Sequence, residues 1–114
     1  MKFDYGSLDA PFEADWPVTV HVPQDGGESR EENLEVRFRL VDDEVLEALG
    51  QGVEAQKAAL RQVVVGFGKS EDQPFSAELL EKMLARAYIR NGLNKGYGQF
   101  VLGIPAKNSE PPRA

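Results

Sequence analysis

Apolar and polar residues alternate along two stretches near the start of the chain. Between Pro17 and Pro23 every second residue is a valine, and residues 34–40 place apolar side chains on one face and charged side chains on the other. A period of two indicates strands, and prolines are tolerated best on an edge strand. We therefore predict an antiparallel hairpin whose long tip contains the glycine and acidic residues between the two stretches.

Spacings of three and four residues then indicate two helices. The first would begin after Asp42 as N-cap and end at Gly50, with carboxylates in its first turn favoured by the helix dipole. The second carries apolar residues at helical spacing over 53–67. Within it, the run Val63-Val64-Val65 taken alone also fits a buried strand.

A third helix is predicted after Ser76, a second N-cap residue, and it has two different faces. One face is apolar and comprises Leu80, Met83, Leu84, Ala87 and Tyr88. The other face mixes the basic residues Lys82, Arg86 and Arg90 with the apolar residues Leu79, Ile89 and Leu93. Glycines at 92, 96 and 98 each disfavour a helix by about 1 kcal/mol relative to alanine, so its extent beyond Asn91 stays open.

These elements predict a single α+β domain in which an N-terminal antiparallel β-hairpin packs on about three α-helices. The hairpin needs such a partner because two strands alone are only marginally stable in water. We expect the domain to cover residues 1–108, with residues 1–14 as a loosely held lead-in. Residues 109–114 contain Pro111-Pro112 and are expected to form a disordered tail.

Charge and cysteine content narrow the classes of function. The chain has a net charge of -6, yet its last third, from Lys82 onward, carries 6 basic residues and 1 acidic residue. An acidic protein is a poor general ligand for nucleic acid, because phosphate contacts need a basic surface. Cysteine is absent, which excludes disulfides and suits a reducing compartment. With no signal peptide and no membrane span in the sequence, we expect a cytoplasmic protein.

The candidates for catalysis, cofactor binding and metal binding are weak. Gly68-Lys69-Ser70 resembles the end of a phosphate-binding loop, but that motif needs glycine where Val63 stands. His21 has no nucleophilic partner at a recognisable spacing. Asp42, Asp43 and Glu44 lack the alternating ligands of a calcium loop and are explained by their place at a helix start. We therefore expect no enzyme activity, no cofactor and no metal site.

A partner-binding surface is the more promising candidate. On the mixed face of the third helix, Leu79, Ile89 and Leu93 would be apolar anchors, and Lys82, Arg86 and Arg90 would form their charged border. The alternative is that another element of the same chain covers this face. The acidic hairpin tip is a solvated loop in the simpler interpretation and a mobile arm for a basic partner in the sharper one.

Several short motifs, in their order along the chain, resemble the phage tail assembly chaperones. They are Asp15-Trp16-Pro17-Val18-Thr19-Val20-His21-Val22-Pro23-Gln24-Asp25-Gly26-Gly27, Val36-Arg37-Phe38-Arg39, Val63-Val64-Val65-Gly66-Phe67, Pro74-Phe75-Ser76, Ala87-Tyr88 and Lys107-Asn108. The resemblance covers roughly residues 15–108. This chain departs from the family in having Phe67 in place of a tryptophan, a shorter acidic-glycine loop before Pro74, and glycines in its last helix.

The resemblance implies a role in the assembly of long phage tails. Such chaperones bind the tape measure protein, keep this long helical chain soluble, and leave as tail tube protein polymerises, so that the finished virion lacks them. The implied partners are therefore the tape measure protein, the tail tube protein and further copies of the chain. Two alternatives remain: a structural tail component, such as a tail terminator or head–tail joining protein, and a small regulatory or nucleotide-binding protein.

Overall fold

Three antiparallel strands and four α-helices make up the described part of the chain, residues 4–68 and 74–104 of a computed structural model. Their bounds are β1 Glu13–Pro23, β2 Ser29–Arg39, α1 Asp43–Ala48, α2 Val53–Val63, β3 Val64–Phe67, α3 Ala77–Leu84 and α4 Ala87–Leu102. One 3-10 helix, Tyr5–Asp9, precedes β1, and a second, Asp25–Gly27, forms the hairpin tip between β1 and β2. The α+β class and the N-terminal hairpin are confirmed. The Lys69-Ser70 and Lys107-Asn108 motifs and the predicted tail 109–114 lie outside the described residues.

The predicted hairpin extends further toward the N-terminus than the valine pattern indicated. β1 begins at Glu13, within the predicted lead-in, and pairs with β2 from Glu13 opposite Arg39 to Pro23 opposite Ser29. The sheet order is β1-β2-β3, so β1 is an edge strand as its prolines predicted. Its alternate residues Val18 and Val20 are buried, which confirms the strand period of two.

The second predicted helix is too long, because its last residues form β3. Helix α2 ends at Val63, and Val64 takes an extended conformation with φ -91° and ψ 111°. Residues 64–67 then pair antiparallel with β2, with an irregularity between Arg37 and Phe38. Branched valines favour a strand once a neighbouring strand offers hydrogen bonds, so pairing with β2 outweighs the helical spacing. The alternative interpretation of Val63-Val64-Val65 as a strand is correct from Val64 onward.

The third predicted helix is two helices, α3 and α4. Residues from both of its predicted faces are buried in one core. The helix start at Ser76 is confirmed, since the Ser76 hydroxyl accepts a hydrogen bond from the Leu79 amide at 3.0 Å. The chain bends at Arg86, where φ is -106° and ψ is 120°. In a straight helix Leu84 and Leu93 would point in directions about 180° apart. Because of the bend, both are fully buried in the same core.

Helix α4 lies directly on β1, and its glycines make this close approach possible. A Cβ at residue 92 would lie 2.6 Å from Val20 Cγ1 and 2.7 Å from the Thr19 carbonyl oxygen. A Cβ at residue 96 would lie 2.8 Å from Val18 Cγ2. These distances are shorter than any ordinary carbon contact. The helix therefore continues to Leu102, since what glycine costs in helix propensity is offset by packing against the sheet.

Candidate interaction surface

The six residues predicted to bind a partner do not share one surface. Leu79 and Lys82 lie on α3, Arg86 lies in the bend, and Ile89, Arg90 and Leu93 lie on α4. The prediction that Leu93 is an exposed anchor is wrong, because its side chain has no accessible surface. Ile89 packs against the core and is half-buried. The α4 part of the mixed face, Ile89, Arg90 and Leu93, is thus turned toward the sheet and the other helices.

Arg90 is also a structural residue rather than part of a charged border. Its Nε donates to the Gln56 side-chain oxygen at 3.1 Å, and its terminal nitrogen donates to the Leu84 carbonyl at 2.7 Å. These bonds join α4 to α2 and to the last carbonyl of α3, which has no partner inside its own helix. Substituting Arg90 would therefore loosen the contact between three helices.

Lys82 and Arg86 remain exposed, as predicted, and Leu79 is half-buried. Nearby, Nε and Nη2 of Arg61 donate to the two carboxylate oxygens of Glu81 at 2.6 and 2.9 Å, which joins α2 to α3. The hydrogen bond from Arg61 lowers the pKa of the Glu81 carboxyl. Since this surface retains two basic side chains but no fully exposed apolar anchor from the predicted set, it lacks the apolar half of the predicted binding site.

The exposed apolar residues gather at the other end of α4. Leu102 is 72% exposed, Ile104 54%, Phe12 52% and Leu40 44%. We call these four residues the apolar end. They lie where β1 begins and where β2 and α4 finish. The Leu40 amide donates to the Phe12 carbonyl at 3.0 Å, and Phe12 stacks on Phe100 in the last turn of α4 with ring centroids 5.9 Å apart. Leu102 points to the opposite side of that turn from Phe100. Tyr5 and Leu8, in the 3-10 helix leading into β1, are exposed as well.

The apolar end stands on a cluster of packed aromatic rings. Phe100 contacts Trp16 edge-to-face at 5.5 Å and Phe38 at the same distance. Tyr97 packs edge-to-face on Phe38 at 5.2 Å, and its hydroxyl donates to the Arg39 carbonyl at 2.9 Å. Burial raises the pKa of the Tyr97 hydroxyl. Stacking on this cluster through Phe100 holds the Phe12 ring, and the backbone bond to Phe12 holds Leu40 beside it.

Gly103 determines where Ile104 lies. Its φ of 72° is in the left-handed region. The Gly103 amide donates to the Phe100 carbonyl and the Ile104 amide donates to the Gln99 carbonyl, each at 3.0 Å. This pair of bonds is the Schellman arrangement, which ends a helix and turns the chain back toward its last turn. Ile104 is thereby held near Leu102 and Phe100 rather than being carried away from the helix.

Helix α1, which begins shortly after Leu40 in the chain, is acidic. Four carboxylates, those of Asp42, Asp43, Glu44 and Glu47, are exposed on α1 and its N-cap. Asp42 occupies the predicted N-cap position, but its side chain makes no capping hydrogen bond. Among the described residues, none of the four is within ion-pair distance of a basic side chain. Their charge is therefore available to a binding partner.

The open edge of β1 is poorly suited to accept another strand. The bond from Leu40 to Phe12 shows that even-numbered residues of β1 face β2, so odd-numbered residues point their backbone groups outward. Pro17 and Pro23 are odd-numbered and have no N–H to donate. An added strand would lack a hydrogen bond near the middle of β1, which leaves side-chain contact at the apolar end as the more favourable way to bind a partner.

The described residues contain no group of three or more His, Asp or Glu side chains that could hold a metal ion. In the same residues no helix is long and apolar enough to cross a membrane. No family profile, curated protein or solved structure matches this chain.

Sequence reasoning missed the apolar end for an identifiable reason. Leu40 was assigned to the inward face of a strand, and this is its correct face, but the strand ends before the core covers it. Leu102 lies two residues after the buried Phe100, on the outward side of the last turn. The available signal was the position of large apolar residues at the ends of elements, where the core stops.

Proposed function

We propose that this chain is a phage tail assembly chaperone that binds the tape measure protein through the apolar end. The observation that carries the proposal is the exposure of four large apolar side chains at this end of the fold: Phe12, which stacks on Phe100, and Leu40, Leu102 and Ile104. Large apolar side chains that remain in water at one place are typical of a surface used for protein contact. The order of the motifs over residues 15–108 favours the tail assembly chaperones as the family.

The geometry supports contact with an amphipathic helix. Such a helix presents apolar residues at spacings of three and four, and it docks on apolar side chains held by a preformed surface. A tape measure chain exposes long amphipathic helices before the tube surrounds it, and these would aggregate without cover. A chaperone with a small apolar surface and charged surroundings would bind them reversibly, since a modest apolar area gives modest affinity.

The test is co-expression of this chain with a tape measure protein from the genome that encodes it. The unmodified chain is expected to keep the tape measure protein in the soluble fraction and to co-purify with it. The double variant Leu102→Ser, Ile104→Ser should lose both effects while retaining its circular dichroism spectrum and melting temperature. Val53→Ser is the matched control, because Val53 is an exposed apolar residue, at 49%, on a different helix.

Three results would count against the proposal. Co-purification that is unchanged in the double variant would remove the apolar end from the binding site. Detection of this chain as a stoichiometric component of purified tail particles would instead identify it as a structural tail protein. A ligand-dependent rise in melting temperature in a screen of nucleotides would favour the regulatory or nucleotide-binding alternative.

A further inference from the structure

Two dipeptides of this chain, Asp25-Gly26 and Asn91-Gly92, can rearrange through a succinimide, a five-membered ring made by a side chain and the backbone. Glycine in second place favours the reaction, because no Cβ hinders its backbone nitrogen. The sequence alone predicts that Asn91 reacts first, since a neutral amide resists attack less than a carboxylate does. We infer that the fold reverses this order, so that Asp25 is the site of isoaspartate formation in the folded protein and Asn91 is protected.

The reaction consumes and releases only water at Asp25. The Gly26 backbone nitrogen attacks the Asp25 Cγ, so that a C–N bond forms and a C–O bond breaks, and the oxygen leaves as water with the amide proton and a carboxyl proton. Water then opens the ring. Attack at Cγ restores aspartate, whereas attack at the backbone carbonyl carbon leaves isoaspartate, whose main chain runs through Cβ and Cγ. At Asn91 the side-chain nitrogen leaves instead, as ammonia, so the product differs in mass.

The hairpin tip allows Asp25 to reach the reactive geometry. Asp25 and Gly26 are both exposed, and strand pairing ends before them, at Pro23 opposite Ser29. Gly26 has a φ of 83°, and nothing lies within 4 Å of its Cβ position. Among the described residues, no hydrogen bond or ion pair holds the Asp25 carboxylate. The carboxyl group can therefore turn toward the Gly26 nitrogen without breaking a packing contact.

The surroundings of Asn91 prevent the same attack. Gly92 is an interior residue of α4, where a backbone N–H donates to the carbonyl four residues earlier. Ring closure would turn this peptide out of the helix, but Gly92 lies directly against β1, with its Cβ position 2.6 Å from Val20 Cγ1 and 2.7 Å from the Thr19 carbonyl oxygen. The reaction at Asn91 therefore requires unfolding. Because small domains favour the folded state by about a thousandfold or more, folding should slow deamidation of Asn91 by at least about that factor.

The experiment follows both dipeptides in one sample of the full chain. The protein is incubated at neutral pH over a series of urea concentrations, digested with trypsin and analysed by liquid chromatography and mass spectrometry. Trypsin releases Asp25 in the peptide 3–30 and Asn91 in the peptide 91–95. Without urea, isoaspartate should accumulate in 3–30, detected by the methyltransferase that modifies its carboxyl group, while 91–95 stays unchanged. Across the unfolding transition, deamidation of Asn91 should rise in proportion to the unfolded fraction.

Two substitutions identify the reacting residue in the peptide 3–30. Asp25→Glu retains the charge but requires a six-membered ring, which forms far more slowly, and should abolish the accumulation of isoaspartate. Asp9→Glu is the matched control and should leave it unchanged, because Asp9 is also exposed but precedes Ala10, whose Cβ hinders the nitrogen. The inference is overturned if isoaspartate is absent from the folded protein or persists in Asp25→Glu. It is also overturned if Asn91 deamidates equally fast in the folded and unfolded chain.

Discussion

The two ends of α4 use apolar surface in opposite ways. Near its start, Gly92 and Leu93 are buried against β1 and the other helices, with no space for an extra methyl group at residue 92. At its end, Leu102 and the following Ile104 are mostly exposed. The first region stabilises the fold, whereas the second contributes little to it. A variant of the second region can therefore report on binding without confounding loss of structure.

The largest expected effect comes from exchanging leucine for alanine at the two ends. Leu93→Ala should lower the free energy of unfolding by about 2–5 kcal/mol, because it leaves a cavity in a packed core. Leu102→Ala should change it by no more than about 0.5 kcal/mol, since the side chain is mostly in water. Urea unfolding followed by circular dichroism measures both. Similar losses in the two variants would contradict the distinction between the two ends.

A smaller effect is expected from adding a methyl group along the same helix. Gly92→Ala should destabilise by about 1–3 kcal/mol, because its Cβ would press on the Thr19 carbonyl, a backbone atom with little room to move. Gly98→Ala should stabilise by up to about 1 kcal/mol, because nothing lies within 4 Å of its Cβ position and alanine favours a helix. Thermal melts of the two variants should therefore shift in opposite directions.

The smallest effect concerns the tyrosine beneath the apolar end. Tyr97→Phe removes the bond to the Arg39 carbonyl and should cost about 0.5–1.5 kcal/mol near neutral pH.

The same variant tests the raised pKa of Tyr97. Above about pH 10 the unfolded chain ionises this hydroxyl while the folded chain keeps it protonated, so stability falls as pH rises. The decline should be shallower in Tyr97→Phe, and unfolding midpoints measured between pH 8 and about 11 would show it. Parallel pH profiles would mean that Tyr97 ionises as readily in the folded state as in the unfolded one.

The sequence pattern predicted the presence of helices and strands more reliably than the residues at which they begin and end. The hairpin and the helix starts at Asp42 and Ser76 follow from local patterns and reappear in the structure, although only Ser76 makes the capping hydrogen bond. β3 was missed because a run as short as Val64–Phe67, with two branched valines, fits either structure until β2 supplies a partner. The bend at Arg86 was missed because the chain has neither glycine nor proline there. Its cause is tertiary, since Leu84 and Leu93 reach one core only if the helix turns.

The expectation that Leu93 is an exposed anchor was wrong for the same reason. On one long helix, a second apolar face indicates a surface that its own core does not cover. Because the chain forms two shorter helices, the apolar residues of that second face on α4 point into the core instead. Leu93 therefore went from predicted anchor to core residue, while Lys82 and Arg86 stayed exposed. The glycines at 92 and 96 carried the missing information, because small residues four apart in a helix permit close contact with another backbone.

The two prolines of β1 have a consequence for how the protein behaves when it is abundant. A protein with exposed apolar side chains can aggregate by pairing its strands with those of other copies, and an exposed edge strand is where such pairing begins. Pro17 and Pro23 have no backbone N–H, so the exposed edge of β1 lacks donors at these two positions. Copies of the chain at high concentration are therefore hindered from pairing through this strand, because an added strand would find no donor at these two positions.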